Sequence, residues 1–315
     1  MAISSVLGSS ALLPAGLGFR NKIINGDFRI WQRGTSVTAS GAYTTDRWAQ
    51  VSGNSIVHTQ STDVPNAGFT YSMSMVGVGS NIVHRIEALN CGGINGTITV
   101  SFWYKSTVGS DALTMALYNC NTTDSFASIT QINSNVTVSS APSSSWTYFT
   151  RTFTGVTANT KNGIALNLFR GSGATSTTLI TGVQLEANSQ PTPFEQRPIG
   201  TELALCQRYY EKFSATSIYT IYGSGLAGAV DSGTLTMPFR VTKRVQPTSL
   251  DVTGSCIMGD GVNNYTIYTL QLWTVSSPFA GGLLFTTPSS LTVGKFYSMF
   301  SNNNTTSAIA FSSEL

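Results

Sequence analysis

The feature that most constrains the fold of this chain is a series of short runs in which apolar and polar residues alternate. In the first two thirds of the chain these runs read SIVHTQS, YSMSMVGV, NIVHRIEAL, GTITVSFWYKS, ALTMALYNC, WTYFTRTFTGV, GIALNLFRG and LITGVQLE. A period of two is typical of β-strands, and no helical pattern is long enough to interleave with the runs. Many short, turn-bounded strands predict antiparallel sheets packed as a β-sandwich or jelly roll.

The composition agrees with an all-β chain and excludes several classes of function. Charged residues make up only 10% of the 315 residues, whereas a typical domain contains roughly 25%. This length suffices for two domains. A net charge of +3 without runs of Lys or Arg argues against a nucleic-acid partner. No apolar run reaches the roughly 20 residues that membrane insertion requires.

The cysteines and histidines do not show the spacing of a metal site. They are far apart in the chain: Cys91, Cys120, Cys206, Cys256, His58 and His84. Without a CxxC pair, a zinc site is not expected, and the sequence predicts no metal and no cofactor. We interpret the cysteines as free, mostly buried thiols of a protein made in a reducing cytosol. The sequence leaves open whether Cys91 pairs with Cys120.

The stretch from Thr178 to Phe213 divides the chain into two β-domains. It begins as an alternating strand and continues through several prolines, which neither a ladder nor a helix accommodates. Thr201 is the expected N-cap of a short helix, and Glu202 suits its first turn. Apolar residues then recur at helical spacing: Leu203, Leu205, Cys206, Tyr209, Tyr210 and Phe213. We therefore predict a jelly roll over 20–198, a connecting helix over 199–213 and a second β-sandwich over 214–315.

Two features of the sequence, the N-terminal residues 1–19 and a charge cluster in the second domain, each allow two interpretations. Residues 1–19 are mildly apolar without a basic leader, which favours an arm that docks on a partner or on copies of this chain; the alternative is a strand of the first domain after a loose start. In the second domain, Arg240, Lys243 and Arg244 form the main charge cluster. This cluster indicates a solvated edge strand or, alternatively, a contact with an acidic glycan.

Several motifs in the same order carry a resemblance to a known family. They are NGDFRIWQRG, TDRW, HRIEAL followed by GTITVSFWYKS, and GVQLEANSQPTPFEQRPIGTELALCQRYYE. In residues 20–213 the chain resembles phage virion proteins of the tail-fibre-like or minor structural kind, whose first domain is similar to jelly-roll carbohydrate-binding modules. PFRVTKRVQPTSL and the final FSSEL resemble the C-terminal domains of the same proteins.

The resemblance implies a virion structural protein with a glycan-binding face. The modules it resembles often hold a structural calcium through acidic residues on the last strand, but Thr181 and Gly182 stand at the matching positions. Because neither carries a carboxylate, the resemblance does not extend to this calcium, and Asp27 is the one remaining candidate ligand. Fibrous virion proteins are commonly trimers, so the resemblance also implies a homotrimer.

Sugar binding requires an exposed aromatic ring for the apolar face of a pyranose and polar groups for its hydroxyls. In residues 96–106, Ile98, Val100, Phe102 and Tyr104 alternate with Thr99, Ser101, Trp103 and Lys105. Trp103 and Lys105 lie on the polar face, and we predict a glycan site there that Arg85 and Glu87 share. The alternative is that a loop or the second layer of the sandwich covers Trp103. Core or corner packing is expected for the tryptophans at strand ends: Trp31, Trp48 and Trp146.

The sequence lacks a recognisable catalytic constellation. No GxSxG motif or phosphate-cradling glycine loop is present, and the carboxylates are few and scattered. We therefore expect no enzymatic activity. The resemblance implies a phage virion protein, made in the host cytoplasm, that serves as a tail fibre or similar appendage and contacts host surface glycans. Its expected partners are copies of itself, as a homotrimer, and other virion proteins through the N-terminal arm. The alternative is a purely structural capsid-decorating, head-fibre or tail-adaptor protein.

Overall fold

A computed structural model describes residues 19–39, 41–53, 56–77, 79–92, 94–106, 113–139, 144–170, 177–288 and 290–315. The chain divides into two compact units, one of residues 1–202 with Leu315 and one of residues 203–314. The predicted N-terminal arm lies, apart from Phe19, outside the described residues. In the part of the chain that is described, no helix is both long and apolar enough to cross a membrane.

The first unit is built from short strands, as the alternating runs predict. The strands are β1 (Ser36–Ala39), β2 (Ala42–Tyr43), β3 (Trp48–Gly53), β4 (Ile56–Ser61), β5 (Ser72–Val76), β6 (Ser80–Ile86), β7 (Gly96–Ser106), β8 (Leu113–Cys120), β9 (Ile129–Gln131), β10 (Val136–Ser139), β11 (Thr147–Val156), β12 (Ile164–Arg170) and β13 (Thr177–Glu186). The 3₁₀ helices Ala88–Asn90 and Ala158–Asn162 lie between strands.

Two antiparallel sheets form a sandwich in this unit. One has the order β1-β4-β5-β13-β7-β11, and the other has the order β10-β8-β12-β6-β3-β2 with β9 paired to β8. Their inner faces enclose one apolar core, to which Phe102 and Ile180 contribute from the first sheet and Leu166 and Met115 from the second. The jelly-roll-like sandwich predicted for this part of the chain is confirmed.

The two faces of β7 are those that the alternation predicts. Ile98, Val100 and Phe102 are fully buried, and Tyr104 is nearly so. Trp103 and Lys105 lie on the opposite face and are half-buried. The outer face of the first sheet therefore carries the predicted aromatic residue.

The segment around Asn25 is an irregular buried loop. Asn25 has a φ of +57°, and its side-chain amide donates to the carbonyl of Ile30 at 2.8 Å and to the hydroxyl of Thr45 at 3.0 Å. The side-chain oxygen of Asn25, Oδ1, accepts a hydrogen bond from the backbone N–H of Ile30 at 3.0 Å. These bonds replace a strand ladder, because a buried backbone must find its hydrogen bonds elsewhere.

The α-helix α1 (Ile199–Gln207) begins where the predicted range begins but is shorter than predicted. Thr201 is not its N-cap, because the Glu202 amide already donates to the carbonyl of Pro198 at 3.0 Å. Glu202 lies in the first turn, as expected. Residues Tyr210–Ser214 form a strand and not the end of a helix. Pairing with another strand of the second unit overrides the helical spacing of the apolar residues there.

The second unit is also a β-sandwich, which confirms the prediction of a second all-β domain. Its strands are β14 (Tyr210–Ser214), β15 (Ile221–Ala227), β16 (Ser232–Pro238), β17 (Ser249–Thr253), β18 (Cys256–Gly259), β19 (Asn264–Thr266), β20 (Thr269–Leu272), β21 (Ala280–Thr286), β22 (Phe296–Ser301) and β23 (Ala308–Ser312). The sheet β14-β23-β17 packs against the sheet β19-β18-β22-β15-β16-β21-β20. Phe311 of the first and Tyr297 and Phe285 of the second meet in a shared core.

Lys243 of the charge cluster lies in a buried network, and the prediction of a solvated edge strand is wrong because residues 240–244 lie between β16 and β17. Lys243 is 1% exposed and pairs with Glu211, which is completely buried. The Lys243 ammonium also donates to the carbonyl of Gln207 at 2.6 Å, and Arg240 lies 3.3 Å from the other Glu211 oxygen. The buried ammonium of Lys243 is therefore unavailable to an acidic glycan, whereas the Arg240 side chain pairs with Glu211 and is 57% exposed.

Candidate functional site

Trp103 lies on the outer face of the six-stranded sheet, at the centre of a group of aromatic rings. On β11, Tyr148 pairs directly with Trp103 in the strand register. The two ring centroids are 5.1 Å apart at an interplanar angle of 50°. Since Tyr148 is 41% exposed, the pair presents aromatic surface to solvent.

Two further rings complete a concave site around Trp103. Phe69, from the loop between β4 and β5, and Phe194, from the segment after β13, lie with their centroids 5.4 Å apart. The cavity measures about 290 Å³, and its lining residues are Phe69, Ser101, Trp103, Tyr148, Gly182, Pro193 and Phe194. We call this cavity the Trp103 cleft.

Gly182 makes room for the cleft within β13. Its φ of +65° is a conformation that favours glycine, and the pairing of β13 with β7 shifts register between Thr181 and Gln184. A Cβ atom at Gly182 would lie 2.7 Å from the ring of Phe69 and 3.4 Å from Trp103. The glycine therefore allows the Phe69 ring to approach the sheet.

A polar group lies beside the aromatic rings on the same face. The ammonium of Lys105 is 2.6 Å from a carboxylate oxygen of Asp63, and the indole nitrogen of Trp146 donates to the other Asp63 oxygen at 2.8 Å. The hydrogen bond from Lys105, followed by that from Trp146, lowers the pKa of Asp63 below its usual value. Asp63 is therefore a carboxylate at neutral pH, and its side chain remains 43% exposed.

Arg85 and Glu87 do not lie with Trp103, and the prediction that they share its surface is wrong. Arg85 belongs to β6, which pairs with β3 and β12 in the other sheet. Its guanidinium lies 5.7 Å from the ring centroid of Phe126. Glu87 follows β6, is 2% exposed and accepts from the Asn90 amide at 3.3 Å. A glycan in the Trp103 cleft therefore reaches neither residue.

Asp27, the remaining candidate calcium ligand, forms an ion pair with Arg29. A calcium ligand would instead need carboxylate oxygens that are free to bind the ion. The Asp27 carboxylate is 2.5 Å from the guanidinium nitrogen of Arg29, and both side chains are largely buried. Burial raises the pKa of Asp27, although Arg29 opposes this shift. Among the residues that the structure describes, no group of three or more His, Cys, Asp or Glu side chains is arranged to hold a metal ion.

Sequence reasoning missed most of the residues that surround Trp103. Tyr148 and Trp146 share a face in the alternating run WTYFTRTF, so the signal for that face was present in the sequence. The pairing of this run with β7 is a long-range contact that no local pattern gives. Phe69, Phe194 and Asp63 lie in irregular segments, where periodicity carries no information.

Among the tryptophans expected to pack, Trp48 is fully buried in the core, whereas Trp146 is half-buried beside the cleft.

The arrangement is chemically suited to a neutral polar ligand with apolar faces. The aromatic rings supply C–H contact surface, and the Lys105–Asp63 pair supplies both a donor and an acceptor at the edge. Cavities that bind small molecules are mostly apolar with a few placed polar groups. The Trp103 cleft has this character.

Comparisons with known proteins found similarities in solved structures only. No family model and no curated protein matches the chain. The enzymatically active domain of tailspike protein 4 of bacteriophage CBA120 aligns over 53% of this chain and 21% of that domain, with 14% identity and a TM-score of 0.38. The CBM22-2 xylan-binding domain of Paenibacillus barcinonensis Xyn10C aligns over 49% of this chain and 98% of that domain, with 10% identity and a TM-score of 0.32.

A CBM4 structure aligns over 52% of this chain and 98% of its own length, with 17% identity and a TM-score of 0.33. The chain therefore spans about a fifth of the tailspike domain and nearly all of the two smaller modules. At these scores and identities the similarities carry no argument about function. The fold rests on the strands, sheets and cores described above, which make this an all-β chain of two sandwiches.

Proposed function

We propose that this chain is a non-enzymatic phage virion protein, a tail fibre or similar appendage, that contacts host surface glycans through the Trp103 cleft. The observation that carries the glycan contact is the concave group of four aromatic rings around Trp103. Lys105, two residues further along the same face of β7, pairs with Asp63. Aromatic rings bind the apolar faces of pyranoses, and polar side chains bind their hydroxyls. The lining residues are aromatic, Gly, Pro and Ser, which suit binding without activation of water.

The virion role is supported by the resemblance of the motifs between Asn25 and Glu211 to phage structural proteins. Within this proposal the chain is a homotrimer, made in the host cytoplasm and mounted on the particle through residues 1–19. Single sugar contacts are weak, and several copies on one particle would multiply their effect. A purely structural role in capsid decoration or as a tail adaptor is the alternative.

An array of bacterial surface polysaccharides, probed with the full chain and with Trp103→Ala, tests the glycan contact. We expect the wild-type chain to bind a subset of the array. Trp103→Ala should weaken that binding by roughly tenfold or more, because loss of an aromatic residue that is a binding hot spot costs about 2 kcal/mol or more.

Tyr118→Ala is the matched control, since Tyr118 is a half-buried aromatic residue on the outer side of the other sheet. It should bind the array as the wild-type chain does. Equal binding by Trp103→Ala and the wild-type chain would exclude the cleft as the glycan site. Shortening of the polysaccharide chains during incubation would instead show an enzyme.

A further inference from the structure

A second concave site lies on the outer face of the seven-stranded sheet of the second unit. Its floor is a row of small residues on three adjacent strands, where Ser298 of β22 pairs with Gly259 of β18 on one side and with Ser224 of β15 on the other. The hydroxyl oxygens of Ser224 and Ser298 are 3.2 Å apart. The floor is therefore low and polar.

Larger side chains stand on both sides of this floor. On one side Phe300 pairs in register with Ile221, and its ring centroid lies 6.2 Å from that of Tyr219. On the other side stands Phe296, which is 73% exposed. The space between these walls measures about 710 Å³, within the range of roughly 300–1,000 Å³ that is usual for ligand sites. We call it the Phe296 trough.

A turn in which the charges are paired closes one end of the trough. An Asp260 carboxylate oxygen accepts from the backbone nitrogens of Val262 at 2.9 Å and Asn263 at 2.7 Å. The other oxygen lies 2.7 Å from the ammonium of Lys295. These hydrogen bonds lower the pKa of Asp260. The end of the trough therefore carries a neutralised ion pair and attracts neither an anion nor a cation strongly.

We propose that the Phe296 trough binds a neutral oligosaccharide, as a second glycan site that does not depend on the Trp103 cleft. Exposed aromatic and aliphatic walls match the C–H faces of a sugar ring, and the serine hydroxyls of the floor match its hydroxyl groups. The mutual hydrogen bond of Ser224 and Ser298 uses one of their two hydroxyl protons. A wholly apolar ligand would cover the other without offering it a partner, which is unfavourable. A charged glycan would meet no free opposite charge at the closed end.

The test uses the full chain carrying Trp103→Ala, so that only the second site is measured. The probes are soluble neutral hexaoses: xylohexaose, cellohexaose, maltohexaose and mannohexaose. Titration calorimetry should show that at least one of them binds. Adding Phe296→Ala should weaken this binding by roughly ten- to a hundredfold, because an aromatic wall is lost. Adding Ser298→Trp should abolish it, because the indole fills the floor.

Phe279→Ala is the matched control, since Phe279 is 68% exposed in the same unit and does not line the trough. It should bind as the parent does. The proposal is wrong if none of the four hexaoses binds to the Trp103→Ala chain, or if Phe296→Ala and Phe279→Ala bind alike. It is also wrong if Phe296→Ala changes the oligomeric mass and leaves sugar binding unchanged, since the wall would then contact another copy of the chain.

The two glycan proposals fail in different ways. Hexaose binding that is lost in Trp103→Ala alone would support the Trp103 cleft and contradict the trough. Binding that survives Trp103→Ala and is lost in Phe296→Ala would support the trough and contradict the cleft for that sugar.

Discussion

At the scale of single residues, the two histidines make the first unit sensitive to mild acid. Both are completely buried. Burial, followed by the nearby charge of Arg170, lowers the pKa of His58 to about 4. Burial and the charge of Arg47 lower the pKa of His84 well below its ordinary value of 6.5. Both imidazoles are therefore neutral in the folded protein at neutral pH.

The first prediction concerns stability between pH 7 and pH 4. An unfolded histidine takes up a proton near pH 6.5, whereas folded His58 does so only near pH 4, so the unfolded chain binds more protons in this window. The contribution of neutral His58 to the free energy of unfolding is fully present above pH 6.5 and is lost as the pH falls towards 4. Each pKa unit corresponds to about 1.4 kcal/mol, so His58 alone should remove on the order of 3 kcal/mol by pH 4.

Proton NMR of the imidazole signals in the full chain measures this directly, together with urea unfolding at pH 7.5 and pH 5. His58→Gln is the comparison variant and should lose less stability between the two pH values than the wild-type chain. An imidazole of the folded protein that titrates near pH 6.5 would contradict the prediction.

The sequence correctly predicted on which face of a strand a side chain lies. It did not predict which strands lie side by side to form the site. The alternation in β7 correctly assigned Phe102 to the core and Trp103 to the outer face, because side-chain direction follows locally from the period of a strand. The same reasoning placed Arg85 beside Trp103 and failed, because which sheet a strand joins depends on pairing between distant parts of the chain. The four cysteines are buried and free, which agrees with the interpretation from composition and spacing and answers the question of a Cys91–Cys120 pair, which the sequence had left open.

At the scale of elements, the network around Lys243 ties the region after α1 to the loop that follows β16. Lys243 bonds Glu211 of β14 and the last residue of α1, Gln207. Burial lowers the pKa of Lys243, and the bond to Glu211 opposes this shift. The sequence showed the cluster of cations but not the partner of Arg240 and Lys243, because Glu211 lies 32 residues before Lys243 in a run that was interpreted as helix.

The second prediction is that Lys243→Met destabilises the second unit by about 3 kcal/mol, because removal of one partner leaves the other charge buried. The loss of stability should lie at the lower end of the usual range, because the Arg240 guanidinium still pairs with Glu211. Replacing Glu211 with Leu in the same chain should recover most of the loss, since the unpaired charge is then removed. Urea unfolding of the full chain measures both effects.

Lys295→Met is the matched control for this prediction. It also removes a lysine from an ion pair of the second unit, but the Lys295 side chain is 43% exposed and solvent screens the pair. Its effect on the free energy of unfolding should be much smaller. Equal effects of Lys243→Met and Lys295→Met would show that the buried network does not stabilise this unit.

At the scale of the whole molecule, the proposals place one glycan site on each unit. Two weak sites on one chain, repeated over several copies, would bind a surface polysaccharide with far greater avidity than either site alone. Such avidity is useful only where both units can reach the host surface. The position of the second unit on the particle therefore separates receptor contact from a purely structural role.

Immunogold labelling of intact virions with an antibody against residues 214–315 makes this distinction. For an appendage that contacts the host, we expect gold at the distal ends of tail structures, because a receptor-binding unit must be exposed at a tip. Labelling spread over the capsid would indicate a decoration protein, whose function does not require glycan binding in the Trp103 cleft or in the Phe296 trough. In that case Trp103→Ala and Phe296→Ala virions should attach to host cells as the wild-type virions do, whereas tip labelling predicts slower attachment by both.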